Sequence, residues 1–296
     1  MAEVTLLDGS IGQEVVKRSG DRATPLWSTA VMIEKPEVVG SVHADYFAAG
    51  ATIATMNTYA VLRDRLVRAG IEEHFKELLA KAATQAAAAR ETHGSGRVAA
   101  SLGPLIASYR PDICPPADEA KTAYAELVQL LEPAADLFLI ETVSSLEQAK
   151  GTLQGCADTD KPVWLAVSVS DDDGTLLRSG EPLADLAPLV EEFQPEAVLL
   201  NCSRPEVIGE GLEIVKGFGK PFGAYANGFT RISEGFLKDA PTVDALEQRQ
   251  DLGPKAYAEF AMGWTAQGAT IVGGCCEVGP EHIAELACQL RAAGHR

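Results

Sequence analysis

Eight short apolar runs, each closed by turn residues and followed by a longer polar, alanine-rich stretch, constrain this chain of 296 residues more than any other feature. They are VTLLDGS (4 to 10), TIATMNTY (52 to 59), RVAASLGP (97 to 104), DLFLIET (136 to 142), PVWLAVSV (162 to 169), AVLLNCS (197 to 203), PFGAYANG (221 to 228) and ATIVGGCC (269 to 276). The intervening segments carry helix signals. KPEVVGSVHADYFAAG has Pro36 in its first turn and ends at Gly50, and EEHFKELLAKAATQAAAARETHG is rich in helix formers and stops near Gly94. Apolar strands without clean two-residue alternation, each followed by a helix, suit a parallel sheet covered by helices. Eight such units in under 300 residues predict an α/β fold, one (β/α)8 TIM barrel domain over residues 1–296. A doubly wound open sheet competes, but no G-x-G-x-x-G follows the first run and no G-x-x-x-x-G-K-[ST] occurs. The stretch RISEGFLKDAPTVDALEQRQDLGP (231 to 254) is long and polar for a connection and reads as an inserted flap.

A hydrophobic content of 46% allows a large core without disulfide staples. The 42 acidic against 25 basic residues leave a formal charge of -17, which argues against nucleic acid or an anionic membrane as partner and favours a cationic ligand. MAEVTLLDGS has no basic region followed by a long apolar one, and no later run is long enough to cross a bilayer, so a cytoplasmic protein is expected. Helices on the outside of a barrel are compatible with a homo-oligomer, but nothing specifies an interface.

In this fold functional residues gather where the strands end. Strand 6 ends in Asn201-Cys202 and strand 8 in Cys275-Cys276, so three of the six thiols should meet on one rim. Soft sulfur ligands suit Zn²⁺, and three of them leave a position open for water or substrate, with no fourth Cys or His at another strand end. The competing reading of the adjacent pair is a strained disulfide. Gly273 and Gly274 would let the backbone bend tightly enough for neighbouring side chains to reach one ion. Cys114, Cys156 and Cys288 are read as small buried hydrophobes, and His43 and His74, on expected helices, as packing or surface residues. The acidic run DDDG at 171 to 174 lacks the rest of a calcium loop and is read as solvated charge.

LLDGSIGQEV, the IETVSSLEQA segment, the NC dipeptide, and GGCC followed by a PEHI helix start together resemble the homocysteine S-methyltransferase family over nearly the whole chain. The resemblance implies a zinc-dependent barrel that moves a methyl group from an onium donor (S-methylmethionine, S-adenosylmethionine or betaine) to L-homocysteine, giving methionine. It places the zinc ligands on Cys202, Cys275 and Cys276. A free thiol is mostly protonated at neutral pH and only the thiolate attacks carbon well, so coordination to a metal serves this chemistry. The same resemblance suggests Glu141 for the ammonium of homocysteine, and backbone N–H groups of the turn Asp8-Gly9-Ser10 for its carboxylate. Trp27, Tyr59 and Tyr225 are candidate aromatic faces for an onium donor, and Asn57 and Asn227 share their rims. A sulfonium donor is preferred over betaine on chain length.

Two positions depart from the family pattern. Glu277 follows the double cysteine where a glycine is common, and Gln13 stands where a threonine is common. A negative charge beside the thiolates would be expected to alter donor use. Two other readings stand beside the leading one: a homocysteine module served by a separate corrinoid protein, since no D-x-H-x-x-G motif is present, and a non-catalytic zinc or redox thiol sensor.

Overall fold

The expected alternation is built as eight parallel strands in a computed structural model that describes residues 3–20, 26–233, 235, 237 and 246–295. The strands are β1 (Thr5–Leu6), β2 (Ile53–Thr55), β3 (Arg97–Leu102), β4 (Leu137–Val143), β5 (Val163–Val167), β6 (Ala197–Asn201), β7 (Phe222–Tyr225) and β8 (Ile271–Val272). Each pairs with its sequence neighbours, β8 pairs with β1, and a parallel bridge between Leu7 and Ile53 joins β1 to β2, so the sheet closes on itself. Closure removes both edges, which an open sheet would have left exposed. The expected helices span Pro36–Ala49, with left-handed Gly50 as its cap, and Phe75–His93, capped by left-handed Gly94. Among the described residues no helix is long and apolar enough to cross a membrane.

A two-residue alternation is present after all, hidden because both faces of each strand are apolar. Leu7, Ile53, Ala99, Leu137, Leu139, Trp164, Ala166, Ala197, Leu199 and Ile271 fill the barrel, while Val98, Phe138, Ile140, Leu165, Val198 and Leu200 pack outward against the helices. Trp164 sits near the N-terminal end of β5, its indole N–H donating to Glu196 Oε1 at 3.0 Å. The barrel axis is therefore packed with side chains from its floor upward. Only the layer above Leu139 and Leu199 is free to carry polar groups.

β1 and β8 form only two ladder residues each, shorter than the runs that predicted them. The residues after them leave the ladder to build the rim. The segment expected as a flap is tied at its base by an antiparallel ribbon, with Phe229, just before it, bridged to Gln248 within it and the Arg249 N–H donating to the Gly228 carbonyl at 2.8 Å. Residues 234, 236 and 238–245 of that segment lie outside the described residues.

His43 turns out to be fully buried on the Pro36–Ala49 helix, with neither ring nitrogen hydrogen-bonded, whereas His74 is exposed beside Glu77. Burial lowers the His43 pKa from its ordinary 6.5 to about 4. The unfolded chain therefore takes up a proton below about pH 6.5 that the folded chain refuses until about pH 4, so stability falls as the pH falls through that window. His43 alone is expected to make the protein about 2 kcal/mol less stable at pH 5 than at pH 7. Urea unfolding at the two pH values should show a correspondingly smaller difference in His43→Leu; an equal difference would exclude this source.

Candidate functional site

β6 ends at Asn201, and Cys202 then adopts a left-handed backbone with φ of 47°. For a residue with a Cβ this costs roughly 1–2 kcal/mol, so neighbours must enforce it. The Asn201 side chain supplies one restraint, accepting the Thr142 backbone N–H at 3.0 Å and donating to Thr142 Oγ1 at 3.1 Å. The asparagine of the NC pair thus ties the end of β6 to β4. Across the rim, Cys275 N–H donates to the Ala226 carbonyl at 3.0 Å and Gly274 N–H to the Asp8 carbonyl at 2.9 Å. A Cβ on Gly273 would lie 2.5 Å from Leu7 Cβ, and one on Gly274 would lie 2.2 Å from Val278 Cγ1. Neither glycine has a positive φ, so the pair is required by close packing and not, as expected, by a tight bend.

The sulfurs of Cys202, Cys275 and Cys276 all lie within 4.8 Å of one another. Cys202 and Cys275 are disulfide-bonded, a different pairing from the adjacent one considered from sequence, and Cys276 Sγ stands 3.8 Å from Cys202 Sγ. That last spacing fits the edge of a tetrahedron with Zn–S bonds of about 2.3 Å, which is about 3.8 Å. Burial, with the negative charges of Glu277 and Glu141, pushes the Cys276 thiol up to about 12. Such a thiol ionises near neutrality only with a cation beside it, and in reduced form the donor set fits a thiophilic metal. Of the other cysteines, Cys156 is a core residue as expected, but Cys114 is half-buried and Cys288 exposed. Cys288 lies on the solvent side of the Pro280–Ala292 helix, whose Ile283, Leu286 and Leu290 face inward.

The inward register that fills the barrel continues into a polar layer at its mouth. Two residues beyond Ile53, Ala99 and Leu139 come Thr55, Ser101 and Glu141, and Tyr225 ends β7. Ser101 Oγ donates to Glu141 Oε2, and the Tyr225 hydroxyl donates to Glu141 Oε1 at 3.0 Å. The register shift between Ile140 and Val143, with Thr142 at φ 59°, is a bulge beside this residue. Burial raises the Glu141 pKa against the lowering effect of those hydrogen bonds. Asp8 accepts the Thr55 backbone N–H at 2.5 Å and Thr55 Oγ1 at 2.8 Å, yet burial, with repulsion from Glu141, raises its pKa from 3.8 to about 7. Asp8 was expected to contribute main-chain donors, but it is its carboxylate that faces this layer. The Ser10 N–H is spent on the Val278 carbonyl at 3.0 Å. Gly9 is closely packed, a Cβ there falling 2.1 Å from that same carbonyl oxygen.

One cavity at the mouth is lined by Asp8, Gly9, Ser10, Trp27, Asn57, Tyr59, Glu141, Tyr225 and the three cysteines, and among the described residues its wall contains no Lys, Arg or His. The buried Asp8, the half-buried Glu141 and three sulfurs, with no cationic side chain among the described residues of the wall, form a receptor for positive charge. The Trp27 and Tyr59 rings lie 6.4 Å apart, and Tyr59 is fixed by a 2.7 Å hydrogen bond to Ser108. Asn57 accepts from Ser28 Oγ at 2.6 Å. Asn227 is not part of the wall; its Oδ1 accepts the Phe229 N–H at 3.1 Å and shapes the start of the ribbon. Tyr109 and Phe229 also line the cavity and escaped the sequence reading. Tyr109 lies in a loop with left-handed φ of 61°, where no periodicity marks it. Ser101 and Thr55 were signalled only by register.

The two departures from the family pattern prove to be partners. Gln13 Nε2 donates to Glu277 Oε1 at 2.5 Å, Gln13 Oε1 accepts the Glu277 backbone N–H at 2.7 Å, and Ser10 Oγ donates to Gln13 Oε1 at 2.6 Å. Glu277 has φ of 63°, a conformation a glycine would take without strain, and Gln13 braces it there. Glu277 does not line the cavity.

The family model described as homocysteine S-methyltransferase matches residues 5–290. A homocysteine S-methyltransferase of Bacillus subtilis is 28% identical, the alignment covering 97% of this chain and 94% of that one. A selenocysteine Se-methyltransferase of Brassica oleracea is 26% identical, with 94% of this chain and 86% of that one covered. Among solved structures, the metallated homocysteine methyltransferase of Escherichia coli superposes with a TM-score of 0.80 at 28% identity, with 97% and 96% of the two chains covered. Its oxidized form superposes with a TM-score of 0.81 at 27% identity and the same coverage.

Proposed function

The chain belongs to the homocysteine S-methyltransferase family, and on that premise we propose that it is a cytoplasmic, zinc-dependent enzyme that methylates L-homocysteine from a sulfonium donor. The observation that carries this reading is the meeting of Cys202, Cys275 and Cys276 at one rim, over a cavity that holds Asp8 and Glu141 and, among the described residues, no cationic side chain. In the reducing cytoplasm the three cysteines would be free thiols able to hold the metal. Zinc, when bound there, supplies a soft Lewis acid that keeps a substrate thiol deprotonated at neutral pH.

The protein's own groups would do the rest. Glu141, oriented by Ser101 and Tyr225, would accept the ammonium group of homocysteine. Asp8, held by Thr55, would give up its proton when a cationic group arrives, because a positive charge offsets the burial that raised its pKa. Trp27, Tyr59 and Tyr225 would present ring faces to the donor, and Asn57 would orient it. The methyl–sulfur bond of the donor breaks as the new bond to the homocysteine sulfur forms, so opposite charges cancel and no proton need move in that step. Alignment in a site walled from water is the main contribution left to the fold. S-Methylmethionine and S-adenosylmethionine each carry a net positive charge, whereas betaine is neutral overall, and an acid-rich cavity favours the former.

A donor panel tests this. Reduced, zinc-loaded protein incubated with homocysteine and each donor should form methionine with kcat/KM at least about tenfold higher for a sulfonium donor than for betaine. Betaine as the better donor would overturn the donor assignment. Turnover only with an added corrinoid protein would favour that alternative, and zinc binding without methionine from any donor would favour the sensor.

A further inference from the structure

Arg178 has no part in the chemistry above, yet it is buried directly behind one of the cysteines. It lies in the connection after β5, and its side chain and that of Asp171 are only 9% and 7% exposed. Its Nη2 donates to Asp171 Oδ1 at 2.7 Å and to the main-chain carbonyl of Cys202 at 3.2 Å. Its guanidinium carbon lies 4.7 Å from the centroid of the Tyr109 ring. Asp171 is held from its other side, where Oδ2 accepts the Ile232 backbone N–H at 2.9 Å.

The contact matters because of the conformation it supports. Cys202 stands in the left-handed region, and the peptides on either side of it are pinned one by one. The Asn201 carbonyl accepts from Ser168 Oγ at 2.8 Å, the Cys202 N–H donates to the Tyr225 carbonyl at 3.2 Å, and the Cys202 carbonyl accepts from Arg178. Of these restraints, only Arg178 fixes the peptide that follows the cysteine. Ser203, beyond that peptide, is held through its Oγ, which accepts the Val169 N–H at 2.9 Å, so without Arg178 the strain at Cys202 is released by a turn of the peptide between them, which shifts the sulfur relative to Cys275 and Cys276. The guanidinium also places a positive charge against the main chain of Cys202, with Asp171 keeping the buried charge compensated.

We propose that Arg178, aligned by Asp171, is a positioning residue for Cys202: it holds the backbone from which that sulfur joins the other two, and so sets the affinity for a thiophilic divalent cation without touching metal or substrate. The inference rests on the three-cysteine metal centre proposed above. It requires a long cationic side chain at 178, one nitrogen of which reaches the carbonyl and Asp171 together.

The test compares reduced full-length wild type, Arg178→Met, Arg178→Gln and Arg178→Lys by zinc affinity, in competition with a chromogenic chelator, and by thermal unfolding of the metal-free proteins. Arg178→Met is expected to lose zinc affinity by about tenfold to a hundredfold. Arg178→Gln keeps a polar partner for Asp171 but is too short for the Cys202 carbonyl, so it should fall in the same range and serves if the methionine variant does not fold. Arg178→Lys, which keeps the charge and one donor, should recover most of the affinity. Wild-type zinc affinity in either folded shortened variant, even with a lowered unfolding temperature, would overturn the inference and leave Arg178 as a packing residue. Wild-type protein that binds no zinc would overturn the metal centre itself, and the inference with it.

Discussion

Cys202→Ala should lose bound zinc and methyl transfer together, with kcat/KM for homocysteine falling by about a thousandfold or more. The size follows from the role proposed for the metal. Charge stabilisation at a metal is worth several kcal/mol, and each 1.36 kcal/mol is about a factor of ten in rate. Two sulfurs from Cys275 and Cys276 would leave an incomplete donor set, and Cys276 alone resists ionisation, its thiol pushed up to about 12 by burial and nearby acids. The exposed Cys288 provides the control, since Cys288→Ala should leave both properties unchanged. Metal analysis of the reduced proteins and a methionine assay decide the matter. Full zinc occupancy with near wild-type turnover in Cys202→Ala would remove that residue from the centre.

Asp8→Asn should move stability and activity in opposite directions. The Asp8 pKa is raised from 3.8 to about 7, mainly by burial. The unfolded chain therefore ionises this group across a range where the folded, metal-free protein does not, and stability declines as pH rises from about 4 toward 7. An asparagine removes that penalty and can still meet Thr55, accepting its backbone N–H through Oδ1 and donating to its hydroxyl oxygen through Nδ2. The reduced, metal-free variant should gain roughly 4 kcal/mol at pH 7 and much less at pH 4. Loss of a charge-assisted contact to a bound cationic group should raise the homocysteine or donor KM by about tenfold to a hundredfold. Thermal unfolding at the two pH values and saturation kinetics measure both effects. A variant that is destabilised at pH 7, or that saturates like wild type, would show that Asp8 serves the loop and not the ligand.

Much of this site was legible in the sequence because its residues stand where strands end. Eight apolar runs point to a barrel, a barrel directs attention to its C-terminal rim, and that rim brings Cys202 to Cys275 and Cys276 across 73 residues of chain. Tyr225 was reached by its place near a strand end, and Glu141 through the family resemblance. Ser101 and Thr55 were also within reach, since each stands two residues beyond an inward-facing apolar residue, but the alternation is masked when both faces of a strand are buried. Tyr109, Phe229 and Arg178 were out of reach. They lie in irregular connections whose course depends on left-handed residues and on a buried ion pair, neither of which has a sequence period. The Gln13–Glu277 pair was visible only as two separate oddities, because the hydrogen bonds that join them span 264 positions.

X-ray absorption at the zinc edge of the reduced protein, before and after homocysteine, bears on the whole mechanism at once. The expected spectrum has three sulfur neighbours at about 2.3 Å and one lighter atom, changing to four sulfurs when the substrate is added. Fewer than three sulfurs in the free protein, or a coordination shell that homocysteine leaves unaltered, would contradict a thiolate centre that receives its substrate through the metal.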